Sequence, residues 1–188
     1  MQVIERFLDG ALLLHTPIHV DARGAFSVTY EVDQAAAVGI TEPFVQDNHS
    51  HSTLVHTLRG IHLQLPPFAQ GKLVRVARGR LLDVIVDLRP DSPTRGAHRM
   101  VELAARTGQQ LWVPPGFGHG FCTLEPDTEM AYKVDAPYRP DHERTLAWDD
   151  PSLAITWPPT MDEPVLSAKD AAGADLATIL AEIDRDRP

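Results

Sequence analysis

Residues 72–134 consist of short apolar runs cut apart by turn chemistry at near-regular spacing, and this rhythm constrains the fold more than any other feature of the chain. Leu73-Val74-Arg75-Val76-Ala77-Arg78 leads into Gly79-Arg80, a turn signal, and then into residues 81–88, which are rich in β-branched side chains. Arg89-Pro90-Asp91-Ser92-Pro93 breaks the pattern with turn residues. Residues 101–104, 111–113, 121–124 and 130–134 are further strand candidates, each bounded by Gly, Pro, Asp or Thr. Short strands recurring every ~8–12 residues predict an antiparallel sandwich or barrel.

Helical signals are sparse. Asp33 is placed to cap a short turn through Gln34 and residues 35–37. Leu176, Ile179, Leu180 and Ile183 fall at i, i+3, i+4 and i+7, with Pro188 as a stop. That stripe is expected to pack on the domain or on a second copy of it. A length of 188 residues predicts one domain over 1–188, with its core over about 20–170 and a helical tail over about 171–187.

Charge narrows the range of partners. Lys and Arg total 17 against 26 Asp and Glu, a net charge of -9, which argues against a general nucleic-acid binder. No apolar run approaches the ~20 residues that cross a bilayer. The apolar run at residues 11–14 is too short for a signal peptide. The single cysteine, Cys122, excludes an internal disulfide framework and a Cys-built zinc site. A soluble, cytoplasmic protein is expected. The charge is also uneven: residues 71–106 hold 8 basic and 4 acidic groups, whereas 125–188 hold 6 and 15. The basic segment reads either as solvated strand faces or as a pocket for a small anion.

Nine histidines raise the question of a metal. His49-x-His51 and His119 are the best candidates, since neutral imidazoles ligate zinc, iron, manganese or nickel. His49-Ser50-His51 reads as a polar loop, however, and no Glu follows at close spacing to complete a 2-His-1-carboxylate set. No metal site is expected. Arg59-Gly60-Ile61-His62-Leu63-Gln64 is more informative. In a half-buried sheet Arg59 and His62 must either pair or line a cavity, because burying an unpaired charge is costly. Lys72 opens the next strand, and Tyr132-Lys133 is a similar polar insertion in a late strand. A His base, a Lys cation and a Tyr acid would suit proton transfer at a carbon beside a carbonyl. In residues 114–121 a Pro-Gly turn is expected to deliver His119 at the start of a strand. The pattern there resembles the second cupin motif.

Taken together these segments resemble the dTDP-4-dehydrorhamnose 3,5-epimerase family. The matching pieces are DARGAF at 21–26, FVQDNHSHS at 44–52 and TLRGIHLQLPP at 57–67. They continue with KLVRVARGRLLDVIVDLRPDSPTRG at 72–96, LWVPPGFGHGFCTLEPDTEMAYKV at 111–134 and APYRPDHE at 136–143. WDDPSLAITWP at 148–158 and LSAKD at 166–170 complete the set. The resemblance implies an all-β cupin-like antiparallel jelly roll with short helices, including a C-terminal one. It also implies a homodimer that needs no cofactor and no metal. The implied reaction epimerises dTDP-4-dehydro-6-deoxy-D-glucose at C3 and C5, a step toward dTDP-L-rhamnose for bacterial surface sugars. The implied roles fall on individual residues. His62 matches the general base, Asp170 its carboxylate partner, Tyr132 the acid on the opposite face and Lys72 the cation near the C4 oxygen. Arg23 and Arg59 match diphosphate contacts, while Phe26, Gln46, Asp47 and Asn48 match substrate-site positions. His119, Glu143 and Lys169 match further substrate-site positions, and Tyr138 an aromatic that stacks on thymine.

Two departures stand out. The family usually carries Glu two residues after DxRGxF, where this chain has Val28, and Lys-Gly where it has Val55-His56. Val28 removes an acidic group from the substrate site. It bears on which sugar nucleotide is used and on whether one or both centres are inverted. A single-centre epimerase on a related dTDP-4-keto sugar stays open, as do a metal-dependent cupin enzyme and a non-catalytic sugar-nucleotide-binding jelly roll.

Overall fold

The computed structural model describes residues 1–158 and 161–185. Its strands, in chain order, are β1 (Gln2–Phe7), β2 (Ala11–His15), β3 (His19–Asp21), β4 (Gly24–Phe26), β5 (Gln46–Ser52), β6 (Leu58–Gln64), β7 (Lys72–Arg78), β8 (Arg80–Asp87), β9 (His98–Ala104), β10 (Gln109–Val113), β11 (Phe117–Thr123), β12 (Thr128–Val134) and β13 (Glu143–Thr145). The helices are α1 (Val32–Ala37), α2 (Ala168–Ala171) and α3 (Leu176–Arg185). A six-stranded sheet runs β1-β2-β10-β7-β12-β5, a five-stranded sheet runs β13-β6-β11-β8-β9, and β3-β4 form a separate hairpin. Named strands pair antiparallel throughout. The two large sheets face each other across a core that takes Val74, Leu111 and Met130 from one and Leu81, Ile85, Leu103 and Phe121 from the other. This is the mainly β, jelly-roll-like architecture expected from the strand rhythm.

Each large sheet also buries part of its outer face. α1 covers the six-stranded sheet, where Ala35 packs with Leu12, Leu14, Leu73 and Trp112. α3 covers the five-stranded sheet: Leu176, Ile179 and Ile183 are buried against Ile61, Leu63 and Val86, with Leu180 partly buried beside them. Each fully buried side chain of this kind contributes about 1.5–3 kcal/mol. The i, i+3, i+4, i+7 stripe thus packs on its own chain. Pro188, expected to stop this helix, lies outside the described residues.

Some expectations need correction. The run at residues 11–14 is a strand buried on both faces, with Ala11 and Leu13 in the inter-sheet core and Leu12 and Leu14 under α1. Such strands lose the alternation that marks a half-exposed one. The core therefore begins well before residue 20. α1 is capped by Glu31 rather than Asp33, because the Glu31 carboxylate accepts from the N–H groups of Asp33 and Gln34 at 2.9 and 3.0 Å. His49-Ser50-His51 is not a loop but part of β5, paired along its length with β12. His119 lies in the middle of β11, since the strand starts at Phe117, directly after the Pro115-Gly116 turn.

Half of the eight basic groups in the stretch 71–106 are engaged in ion pairs. Arg80 meets Glu102 and Glu125, Arg89 meets the buried Asp87, Arg95 meets Asp184, and Arg99 meets Glu5. Among the described residues of that stretch, only Lys72 lines the cavity described next.

Candidate active site

β6 carries the first functional residue because its two faces do different work. Ile61 and Leu63 point into the apolar layer under α3. Strand alternation therefore turns His62 the other way, into the space between the sheets. Gly60 permits the close approach this needs. A Cβ there would sit 2.5 Å from the Cα of Gly120, and the backbone has φ +118°, so only glycine fits. β6 and β11 consequently place His62 directly opposite His119.

Asp170 reaches His62 from far along the chain. Val165 bridges to the start of β6, with Leu58 N–H donating to its carbonyl at 3.0 Å. Ala174 bridges to Leu146, just beyond β13, and its N–H donates to the Thr145 carbonyl at 2.9 Å. Between these anchors Ser167 caps α2, and its hydroxyl donates to Asp170 Oδ2 at 2.7 Å while accepting from the Asp170 N–H at 3.1 Å. Asp170 Oδ1 then lies 2.5 Å from His62 Nε2 and accepts from the Gly60 N–H at 3.3 Å. The carboxylate is 4% exposed, so it has few rotameric choices.

A cavity of about 380 Å³ opens between the sheets beside this pair. It is lined by Arg59 and His62 on β6, Lys72 on β7, His119 on β11, Tyr132 on β12, Glu143 on β13, and Lys169 and Asp170 on α2. Tyr132 enters from the six-stranded sheet and His62 from the five-stranded one, so the phenol and the imidazole come from opposite walls. Lys72 is 8% exposed, and its ammonium donates to the His62 carbonyl at 3.4 Å.

Electrostatics sets the protonation states. Burial pushes the His62 pKa below its usual value, as do the charges of Lys169 and Lys72, and these outweigh the upward pull of Asp170. From residue types alone Asp170 would be expected to favour the charged ring, but the two lysines and desolvation win. His62 is thereby kept neutral, as a proton acceptor must be. Burial raises the Tyr132 pKa, with Glu143 adding to it and Arg59 opposing it, so the phenol holds its proton. Burial lowers Lys72 to about 8, against the opposing charges of Asp83 and Glu143.

The cavity rim is a linked set. Glu143 accepts from Lys169 Nζ at 2.8 Å and from the Tyr138 hydroxyl at 2.9 Å. Burial pushes the Glu143 carboxyl up, but these partners outweigh it and hold the pKa below its usual value. Gln46 and Asn48 do not line the cavity but adjoin it: Gln46 Oε1 accepts from the N–H of the lining Tyr138, and Gln46 Nε2 donates to Asn48 Oδ1 at 2.7 Å. Arg59 is tied to β5 through Ser52 Oγ and the His51 carbonyl.

Not every expected site residue converges. Asp47 points to the other face of its sheet, where it pairs with Lys133 at 2.7 Å, because it is one residue out of phase with Gln46 and Asn48. Arg23 and Phe26 sit on the β3-β4 hairpin and line a separate hollow. His49 faces Glu129 at 3.3 Å and His51 faces Asp127 at 3.2 Å. Among the described residues no group of three or more His, Cys, Asp or Glu could hold a metal ion. Sequence reading passed over Ser167, the residue that orients Asp170. It also passed over Asp83, whose carboxylate oxygens both lie 3.0 Å from His119 Nε2. An acidic residue inside an otherwise apolar β run was the available signal for Asp83.

Comparison with known proteins places the chain in a family. The family model described as dTDP-4-dehydrorhamnose 3,5-epimerase matches residues 5–178. A dTDP-4-dehydrorhamnose 3,5-epimerase of Sinorhizobium fredii is 50% identical over 163 residues, covering 85% of this chain and 81% of its own. The crystal structure of the Bacillus anthracis dTDP-4-dehydrorhamnose 3,5-epimerase with TDP and PPi bound has a TM-score of 0.90 and 46% identity, covering 93% of this chain and 99% of its own. A dTDP-6-deoxy-D-glucose-3,5-epimerase from Legionella pneumophila, solved with dTDP-4-keto-L-rhamnose, has a TM-score of 0.91 and 39% identity over 97% of this chain and 96% of its own. With this fold, this cavity and matches of this extent, the chain belongs to the dTDP-4-dehydrorhamnose 3,5-epimerase family.

Proposed function

We propose that the chain epimerises dTDP-4-dehydro-6-deoxy-D-glucose at C3 and C5 to give dTDP-4-dehydro-L-rhamnose. One observation carries this reading: the His62–Asp170 pair and Tyr132 enter a single cavity from opposite sheets, with Lys72 in the same cavity. C3 and C5 both flank the C4 ketone, so loss of either proton gives an enolate. Asp170 engages Nε2, which leaves Nδ1 of the neutral ring as the base. The C–H electron pair moves into the enolate, and the negative charge settles on the C4 oxygen. A fixed ammonium, Lys72, stabilises that charge most where water is excluded. Tyr132 then delivers its proton to the carbon from the opposite face, which inverts the centre. Solvent removes the proton from His62 and restores the one on Tyr132, so acid and base return to their starting states. Arg59 suits a diphosphate because a guanidinium binds phosphate oxygens in pairs.

Incubation with the dTDP-4-keto sugar in D₂O, followed by NMR, tests the reading. Deuterium at both C3 and C5 with inversion is expected. Uptake at one centre only would make it a single-centre epimerase, and no uptake would end the epimerase reading.

We infer further that the working enzyme is a homodimer in which a second copy contributes Arg23 and Phe26. The β3-β4 hairpin exposes Val20 at 77% and Phe26 at 67%, an apolar surface that a second copy would cover. Mixing inactive Arg23→Ala with inactive His62→Asn is expected to restore part of the activity. Sedimentation of a fully active monomer would overturn the inference. Among the described residues no helix is long and apolar enough to cross a membrane. The enzyme works in the cytoplasm under this reading, with its nucleotide-sugar substrate.

A further inference from the structure

We propose that Asp83 is a positioning residue for the oxyanion side of this active site, acting by its hydrogen bond on His119 and by its charge on Lys72. This rests on the epimerase reading above. Asp83 lies on β8 between Leu81 and Ile85, on the face that packs into the inter-sheet core. It is 0% exposed. A leucine would serve that core position, whereas a buried carboxylate requires counter-charges to be tolerated.

The two partners of Asp83, a hydrogen-bonding imidazole and a cation, are both cavity residues. Each Asp83 oxygen lies 3.0 Å from His119 Nε2, so this nitrogen is the one that carries the proton. The ring is thereby held in one tautomer, with Nδ1 left as the nitrogen that Asp83 does not engage. His119 stands opposite His62 in the β6–β11 register, so fixing this ring fixes the wall beside the base. The counter-charge is Lys72. The groups facing it are Asp83 from β8, Glu143 from β13 and Lys169 from α2. Arg59 and His62 on β6, His119 on β11 and Tyr132 on β12 share its cavity. Burial drags Lys72 down to about 8, and the strongest influence holding it up is Asp83. Without Asp83, less of the ammonium would survive at neutral pH to meet the enolate.

The test is Asp83→Asn, which keeps the shape and removes the charge, compared with the wild type in the full chain. Wild-type deuterium exchange is measured first, since its absence would defeat the epimerase reading itself. Given exchange, the alkaline limb of kcat for Asp83→Asn is expected to move down by about one pH unit. At pH 9, above both values, kcat should fall nearly tenfold, whereas at pH 7 the loss should be only about twofold. KM is expected to change less than kcat. A merely structural Asp83 would lower Tm and leave the alkaline limb in place, and that result would overturn the proposal. Should the variant fail to fold, ¹⁵N NMR of the wild-type His119 ring decides. The Nε2–H tautomer is expected at neutral pH, and the Nδ1–H tautomer would overturn it.

Discussion

Asp170 Oδ1 and His62 Nε2 lie 2.5 Å apart although 108 residues of sequence separate them. The contact fixes which ring nitrogen faces the cavity. Asp170→Asn is expected to fold, because its amide oxygen can still accept from the Gly60 N–H while its NH2 donates to Ser167 Oγ. Its kcat should fall roughly 10²-fold, in the range for loss of a tuned general base. Steady-state rates beside thermal melts check this, and a near-normal kcat would remove Asp170 from the mechanism.

The base and the acid are separable by isotope. His62→Asn is expected to abolish deuterium uptake from D₂O at both carbons. Tyr132→Phe should still permit uptake through His62 while inversion falls by about 10²-fold or more. If His62→Asn retains full exchange, another residue removes the proton.

Two groups bound the pH range. His62 must be neutral, and its pKa lies below the usual 6.5, so the acid limb should fall below pH 6.5. Activity is lost there as pH drops and the ring protonates. Lys72 must be charged, and it titrates at about 8. Activity is lost above that pH as the ammonium deprotonates, while Tyr132, raised from 10.0, still holds its proton. A pH profile of kcat/KM measures both limbs, and an alkaline limb near 10 would contradict the role given to Lys72.

Gly60→Ala is expected to harm both stability and rate. The new Cβ would meet Gly120 Cα at 2.5 Å in backbone of φ +118°. Overpacking alone costs typically 1–3 kcal/mol, with about as much again from the strained backbone. Denaturant titration reads the loss, and the displaced β6 should lower kcat in whatever fraction folds.

Away from the site, Ile179→Ala removes a fully buried side chain that clamps α3 to the five-stranded sheet. A loss of about 2–5 kcal/mol is expected by the same titration. A change under 1 kcal/mol would mean that α3 contributes little to holding the sheet.

The strand rhythm of residues 72–134 made most of the barrel legible, because turn residues and β-branched runs are local signals. β2 was hidden for a physical reason: both its faces are buried, so it shows an apolar run without alternation. β5 was hidden for the opposite reason, since its polar residues face a cavity and solvent rather than a core. Arg59 and His62 were readable as chemistry because charged or titratable groups among apolar neighbours demand partners. What the partners were was not readable. His62 gains Asp170 only when α2 docks beside β6, and Lys72 gains Asp83 only because β7 and β8, neighbours in sequence, enter opposite sheets. The phase of Asp47, one residue from Gln46 and Asn48, could be assigned only once β5 was known to be a strand.

The bridges at Val165 and Ala174 have a consequence for the life of the protein. During synthesis all of β1–β13 leaves the ribosome before Asp170 does. Until residues 165–174 dock on the strands, the base stays uncoupled from its carboxylate. Catalytic competence therefore depends on the docking of residues 165–174, not merely on a folded barrel.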